Sequence, residues 1–376
     1  MKDAGIYVHI PFCSIKCIYC DFYSISEQNE RIPRFIDALA KEIHQCEVNV
    51  DNWNFDTLFI GGGTPGILKS KYIEKIIHCL NKKYDLSNLD ELTIEINPGE
   101  STKDRLSNFR KIGLNRISIG IQSFNDKLLQ FLTRNHSKQQ ALDTFSYARE
   151  AGFENINCEL IYSIPNQTID MWEKDLRIII DLSPEHISTY CLTVERDTTL
   201  FSMVSENIVS MPDTVQESDW IVMTQNILSS HGYNPYEISS FSKKGHKCKH
   251  SLHYWRIEPN LGFGPSANGF CGKTRWKNIP SIENYISLME ENKQPIIYRE
   301  KLTQIEKNNE LVGFAFRMEE GLNINRISKS LRDRYKINIM KQVRMYPEFF
   351  IIKNQEYRLS QKGSLFAEKL IPDIIL

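Results

Sequence analysis

The chain has 376 residues, 41% hydrophobic and 25% charged, with 46 Lys and Arg against 47 Asp and Glu. That composition excludes a disordered or fibrous chain, and a net charge of -1 argues against a broad polyanion-binding surface, so nucleic acid is not an expected partner. A single core stops growing near roughly 250 to 300 residues, so one large unit and a smaller one are expected.

The opening MKDAGIYVHIPF holds a strand from Gly5 to Ile10 and lacks a signal-peptide core. No apolar run approaches the roughly 18 residues of a membrane span, so no integral membrane segment is expected. Nine cysteines, three of them between Cys13 and Cys20, make a poor disulfide framework and fit a reducing cytoplasm better. Five more strand-like runs follow: TLFIG from Thr57, ELTIEI from Glu91, RISIGI from Arg116, INCELIY from Ile156 and HISTYCL from His186. Between them the 3.6-residue apolar period marks helices at Arg34 to Glu47, Lys71 to Lys82, Lys138 to Ala151 and Ile169 to Asp181, and Gly113 and Gly152 stand where helix C-caps belong.

This alternation is the signature of an α/β fold with a parallel sheet. Six βα units leave two readings open, an open doubly wound sheet or a partial barrel with a gap. Residues 1–193 form that unit. Residues 194–293 are irregular, rich in turn residues such as Gly262, Gly264, Pro265 and Gly269, and read as a segment covering the barrel. Residues 294–376, with helices at Ile305 to Phe316 and near Ile324 to Arg334 and a strand pair around Phe349 to Leu359, read as a winged-helix-like module.

Cys13, Cys17 and Cys20 follow the first strand directly and so hang at its C-terminal end, where barrel active sites are built. Thiolates suit iron–sulfur clusters and zinc, and three of them on a four-iron cluster leave one iron open to a small molecule. The alternatives are zinc with His9 as fourth ligand, or plain buried cysteines. The ends of the next strands carry Gly61-Gly62-Gly63-Thr64-Pro65, then Glu95 with Asn97-Pro98, then Gln122-Ser123. Glu95 interrupts an apolar strand, where an unpaired carboxylate is costly, so a cationic partner is expected, and Arg134 and Glu159 repeat the logic. All of these converge on one rim, whereas unrelated core or turn residues would scatter over both ends.

Through YVHIPFCSIKCIYCDF, GGGTP, EINPGE, RISIGIQSF and ELIYSIPNQT, the sequence resembles the radical SAM superfamily over almost its whole length. Within it, the likeness is to the HemW-type heme chaperones related to oxygen-independent coproporphyrinogen III oxidases. The resemblance implies a partial (β/α)6 barrel, a 4Fe-4S cluster on Cys13, Cys17 and Cys20, and S-adenosylmethionine on the open iron. It implies contacts to that cofactor from Tyr7, Tyr19, Gly63, Thr64, Glu95, Gln122, Arg134 and Glu159, and reductive cleavage to methionine and a 5'-deoxyadenosyl radical. Phe22 stands where the oxidase branch carries a fourth cysteine, which speaks against oxidase activity. His250-Ser251-Leu252-His253-Tyr254-Trp255 resembles the chaperones' HNxxYW motif, connected with heme, with His250 as an iron ligand; a hydrogen-bonded histidine is the competing reading. Ser251 replaces the motif's asparagine, Glu159 the usual aspartate, and Asn268 a position commonly histidine.

The expectation is therefore a heme chaperone that passes heme to an acceptor protein and needs a reductant for its cluster. The rivals are the porphyrinogen oxidase and a zinc-stabilised binding module. The sequence leaves enzymatic turnover and a homodimer open.

Overall fold

The computed structural model describes residues 1–376, with side chains at every position except 214 and 215. Its centre is a run of six parallel strands, β1 (Lys2–Ile10), β2 (Trp53–Gly62), β3 (Glu91–Ile96), β4 (Arg116–Gln122), β5 (Asn155–Tyr162) and β6 (His186–Cys191), each paired with the next. The strands alternate in character. Ile6, Val8, Leu58, Ile60, Ile94, Ile117, Ile119, Ile156 and Cys158 are buried in the core shared with the surrounding helices. The opposite face carries Tyr7, His9, Thr57, Glu95, Ser118, Asn157, Glu159, His186 and Ser188, joined by hydrogen bonds such as Asn157 to Ser118 and His186 to Asn157. A polar inner face with apolar residues outward is what a barrel with a lumen requires, and a doubly wound sheet would bury both faces in apolar packing.

The four expected helices form at Ile32–Gln45, Ser70–Lys83, Lys138–Glu150 and Ile169–Leu182, within two residues of the expected starts. Their ends have local causes. Ser137 and Gln140 make a reciprocal capping box, Thr168 caps Met171, and Gly113 and Gly152 end their helices with positive φ.

The segment 194–293, expected to cover the barrel, adds strands to both edges of the sheet. On one side β7 (Asn234–Pro235) and β8 (Ser240–Ser242) extend β6 antiparallel. On the other, β9 (Asn260–Phe263) lies parallel to β1 and is followed by antiparallel β10 (Asn268–Phe270) and β11 (Thr274–Asn278), and β12 (Ile296–Lys301), from the stretch expected to open the C-terminal module, completes this edge of the main sheet. The order is β12-β11-β10-β9-β1-β2-β3-β4-β5-β6-β8-β7, with two free edges, so the barrel stays open. The same segment holds a helix at Thr214–Ser230 that periodicity did not reveal; Trp220 and Leu228 are buried in the core, and Ile221, Met223 and Ile227 pack against it half-buried.

The C-terminal module has its own core around Val312, Phe316, Leu322, Tyr335, Ile339 and Ile374. Its hairpin, β14 (Phe350–Lys353) and β15 (Glu356–Leu359), turns through Asn354 and Gln355 at positive φ and pairs with β13 (Leu322–Asn323). The second helix lies at Arg332–Met345, C-terminal of the expected 324–334. Ile324 and Ile327 are buried from a 3-10 turn and an extended residue, which mimics helical spacing without a helix. Among the described residues no helix is long and apolar enough to cross a membrane.

Candidate functional site

Beyond β1 the chain bends through Phe12–Cys13, which pairs with Ile25–Ser26 and leaves Cys13, Cys17 and Cys20 on one partly exposed loop. Two neighbouring segments fix that loop, the end of β2 and the turn after the helix Asp126–Phe131. The Gly63 and Thr64 N–H groups donate to the Ile10 and Phe12 carbonyls at 2.8 and 2.7 Å, and the Thr133 hydroxyl accepts from Ile18 N at 3.1 Å. Gly63 is required here, because a Cβ on it would stand 2.7 Å from Phe12 O and 3.0 Å from Cys13 Sγ.

A continuous hydrogen-bonded chain joins two of the thiols. Thr64 Oγ1 donates to Cys13 Sγ at 3.5 Å and accepts from Asn97 Nδ2 at 2.9 Å; Asn97 Oδ1 accepts from Arg134, whose Nη1 points to Cys17 Sγ at 3.6 Å. Arg134 also donates to Gly120 O at 2.7 Å. Sequence reasoning named Thr64 and Arg134 but gave Asn97 no role of its own; it is the residue that joins them. Burial pushes the Cys13 thiol up and the Cys20 thiol to about 11, so both hold their protons until a metal displaces them.

Further round the rim, Glu95 accepts from Gly62 N at 3.0 Å and forms no ion pair among the described residues. Burial, reinforced by the like charge of Glu159, drives its carboxyl up to about 8. Glu159 accepts from Ser118 Oγ at 2.6 Å. Tyr19 lies among Arg134, Cys17, Cys20 and Glu159, with its hydroxyl pushed up by burial. Gln122 is held at φ +66, and its buried Oε1 has no hydrogen-bond partner. A non-glycine residue in that region costs of order 1 kcal/mol or more, and an orphaned amide oxygen adds to it, which is the signature of a position kept for a ligand. Tyr7 bridges inward, its hydroxyl on His9 Nδ1 at 3.1 Å.

The residues present fit a four-iron cluster and a bound S-adenosylmethionine. Three thiols sit beside a guanidinium, and a carboxylate without a cation and an amide oxygen without a donor share the same rim. They fit a lone zinc less well. His9 is buried with Nε2 on Tyr23 O at 2.8 Å and Nδ1 on Tyr7, so it has no nitrogen to lend, and burial drives its pKa down to about 4.

His250 and Asn268 lie apart from this rim. The helix Lys249–Trp255 crosses the N-terminal end of the strands, where Glu91 accepts from the backbone N–H groups of Lys249 and His250 at 2.9 and 3.1 Å. His250 is 2% exposed. Its Nδ1 is 2.9 Å from Thr57 Oγ1, its Nε2 3.1 Å from Tyr254 Oη, and its ring stacks on Phe59 and presses on Gly5, where a Cβ would come within 2.8 Å. With both nitrogens engaged, His250 offers none to a heme iron, and the hydrogen-bonded reading describes its geometry. Asn268 is exposed on β10, with Nδ2 3.4 Å from Ser266 O. Next to His250, His253 is clamped between Asp56 and Glu258, each at 2.7 Å.

The family model described as the Radical SAM superfamily matches residues 7–179. The chain is 33% identical over 330 residues to the heme chaperone HemW of Bacillus subtilis, covering 88% of this chain and 86% of that one. It is 29% identical over 380 residues to HemW of Lactococcus lactis, covering 99% of both. Among solved structures, the radical SAM enzyme coproporphyrinogen III oxidase (HemN) of Escherichia coli superposes with a TM-score of 0.85 at 22% identity, over 100% of this chain and 90% of that one; the two share a fold.

Proposed function

Because the chain belongs to the radical SAM superfamily, among the HemW heme chaperones, we propose that it carries a 4Fe-4S cluster on Cys13, Cys17 and Cys20, binds S-adenosylmethionine beside it, and hands heme to an acceptor protein. The cluster, when bound, would supply an electron and one open iron for the cofactor's amino and carboxylate groups. The protein's own part is to hold and tune. Thr64 and Arg134 donate to thiolate sulfur and so stabilise its negative charge, and Gly63 keeps the loop close to β2. Glu95 offers a carboxylate to an ammonium, whose arrival would return it from its raised pKa to the ionised form. Gln122 Oε1 is free to accept from a ligand N–H or O–H.

The observation that carries the cluster reading is the hydrogen-bonded chain running from Cys13 through Thr64, Asn97 and Arg134 to Cys17. A merely structural cysteine needs no guanidinium aimed at its sulfur. Against the oxidase stands Phe22, which lies 64% exposed beside the loop where that branch carries a cysteine.

Anaerobic purification with iron, sulfide and heme measured on one sample tests the proposal. We expect about four irons and four sulfides per chain, lost in Cys13→Ala, Cys17→Ala and Cys20→Ala, and saturable heme binding. Stoichiometric zinc with no visible chromophore would reject the cluster. Conversion of coproporphyrinogen by the reduced, loaded protein would replace the chaperone reading with the oxidase.

A further inference from the structure

A cleft of about 640 Å³ opens at the end of the sheet away from the cysteine loop, where the C-terminal module meets the starts of the parallel strands. Pairing brings its walls together. Lys2 begins β1, Asn260 begins the parallel β9 beside Gly5, and the antiparallel partners return the turn at Gly272-Lys273 and the end of β12 to that same level. The turn Arg256-Ile257-Glu258, which follows the helix Lys249–Trp255, forms one wall. The start of the helix Gln304–Ala315 and the 3-10 turn Ile324–Arg326 form another.

Five cations line this cleft, Lys2, Arg256, Lys273, Lys307 and Arg326, against two carboxylates, Asp3 and Glu258. Both carboxylates already have partners. Glu258 is held by His253 at 2.7 Å, and Asp3 accepts from Asn54 at 2.8 Å. Of the five cations only Arg256 is ion-paired, to Glu320; the other four form no ion pair among the described residues. Lys307 is half-buried with Nζ on Gly272 O at 2.7 Å, and Arg326 donates to Arg256 O at 2.7 Å. Burial and the like charges of Lys2 and Lys273 push the Lys307 pKa down, and burial with the like charge of Arg256 outweighs Glu258 and Glu320 to push Arg326 down. The backbone is strained at the same place. Ile257 is held at φ +55, a conformation that β-branched residues rarely adopt, and its side chain packs on the core of the C-terminal module. Cations drawn together without an anion of the chain to answer them repel one another and raise the local concentration of anions from outside.

We propose that this cleft binds a compact inorganic oligophosphate, of the pyrophosphate or tripolyphosphate kind, which bridges Lys2 and Lys273 of the sheet to Lys307 and Arg326 of the C-terminal module and clasps the two units together. The inference goes beyond the chaperone reading and does not depend on it. A cavity of this size lies within the roughly 300 to 1,000 Å³ of small-molecule sites. Cations spread over both units suit a ligand that carries several charges, since a single monoanion would answer only one side. Among the described residues no aromatic ring lines the cleft, so a nucleobase would find nothing to stack on and recognition falls to charge. The bound anion replaces repulsion between the units by attraction to both.

Calorimetric titration of the purified full chain with sodium tripolyphosphate, at an ionic strength held constant with sodium chloride, tests this, with the melting temperature read alongside. We expect saturable binding of one anion per chain, and a melting temperature raised by about 3 °C or more at a hundredfold excess over the dissociation constant. Lys273→Gln and Lys307→Gln should each weaken binding by about fivefold or more, with iron content unchanged. Lys273 is exposed and its side chain forms no ion pair, so Lys273→Gln should also leave the ligand-free melting temperature unchanged or higher, as repulsion falls. No heat beyond that of sodium chloride, or wild-type affinity in both variants, would overturn the proposal. Binding of ADP tenfold or more tighter than of pyrophosphate would overturn it as well, because a base would then be read.

Discussion

His253 should make the protein's stability fall with rising pH, by an amount its surroundings define. The ring is 3% exposed, between Asp56 and Glu258 at 2.7 Å each. Burial alone would drive its pKa down, but the hydrogen bonds to the two carboxylates outweigh it, and the pKa rises to about 9. An unfolded histidine titrates near 6.5. Below pH 6.5 both states carry the proton and the full contribution of the clamp is present. Between 6.5 and 9 only the folded state keeps it, so stability drains away, and above 9 the contribution is gone. A shift of about 2.5 units at 1.36 kcal/mol each gives about 3 kcal/mol, a large part of a typical folding free energy of 5–15 kcal/mol. The assay is urea unfolding of wild type and His253→Gln at pH 6, 7.5 and 9.5, with the difference between them taken at each pH to cancel other titrating groups. The difference should shrink by about 3 kcal/mol from pH 6 to 9.5. A difference that stays constant across that range would refute a charged clamp.

The remaining predictions concern the rim. Gly63→Ala should displace the Cys13 loop, because its Cβ would press on Phe12 O and Cys13 Sγ; iron per chain should fall by more than half with far-UV circular dichroism retained. Asn97→Ala breaks the chain between Thr64 and Arg134 and should leave the cluster assembled yet bleached by air several-fold faster, read from the decay of its visible absorption. Glu95→Gln removes the carboxylate that no cation pairs among the described residues. It should weaken S-adenosylmethionine binding by about tenfold, or about 1.4 kcal/mol, measured by calorimetry on the loaded protein. Unchanged affinity would mean that Glu95 only anchors Gly62.

The parallel strands and their helices were legible because period and punctuation agreed: RISIGIQ alternates isoleucine with Arg116, Ser118, Gly120 and Gln122, and Gly113 and Gly152 stop the helices before the next strand. The rim was legible for a topological reason, since whatever follows a parallel strand lands at the same end as its neighbours. What escaped was contact between residues far apart in sequence. His250 reads the same on the page whether it is a ligand or a packed ring, and the answer lies in Gly5 and Thr57, about 200 residues or more upstream. Gly5 was the available signal, because a glycine inside a strand often marks the close approach of another group. The helix at Thr214–Ser230 was missed because its apolar residues do not form a single stripe. Ile324 and Ile327 misled in the opposite sense, as two buried isoleucines at helical spacing on a chain that is not helical.

The pairing of β1 with β9 also governs how the molecule can be made. The strand that presents the cysteines leaves the ribosome well before Asn260–Phe263, the partner of one of its edges. At roughly 5 to 20 residues per second, the nascent chain carries that exposed edge for some tens of seconds. An unpaired edge held so long invites pairing with other chains, and thiols already translated stand open to oxidation meanwhile. Slower elongation before codon 263 should therefore cost yield of intact protein more than the same delay placed after it.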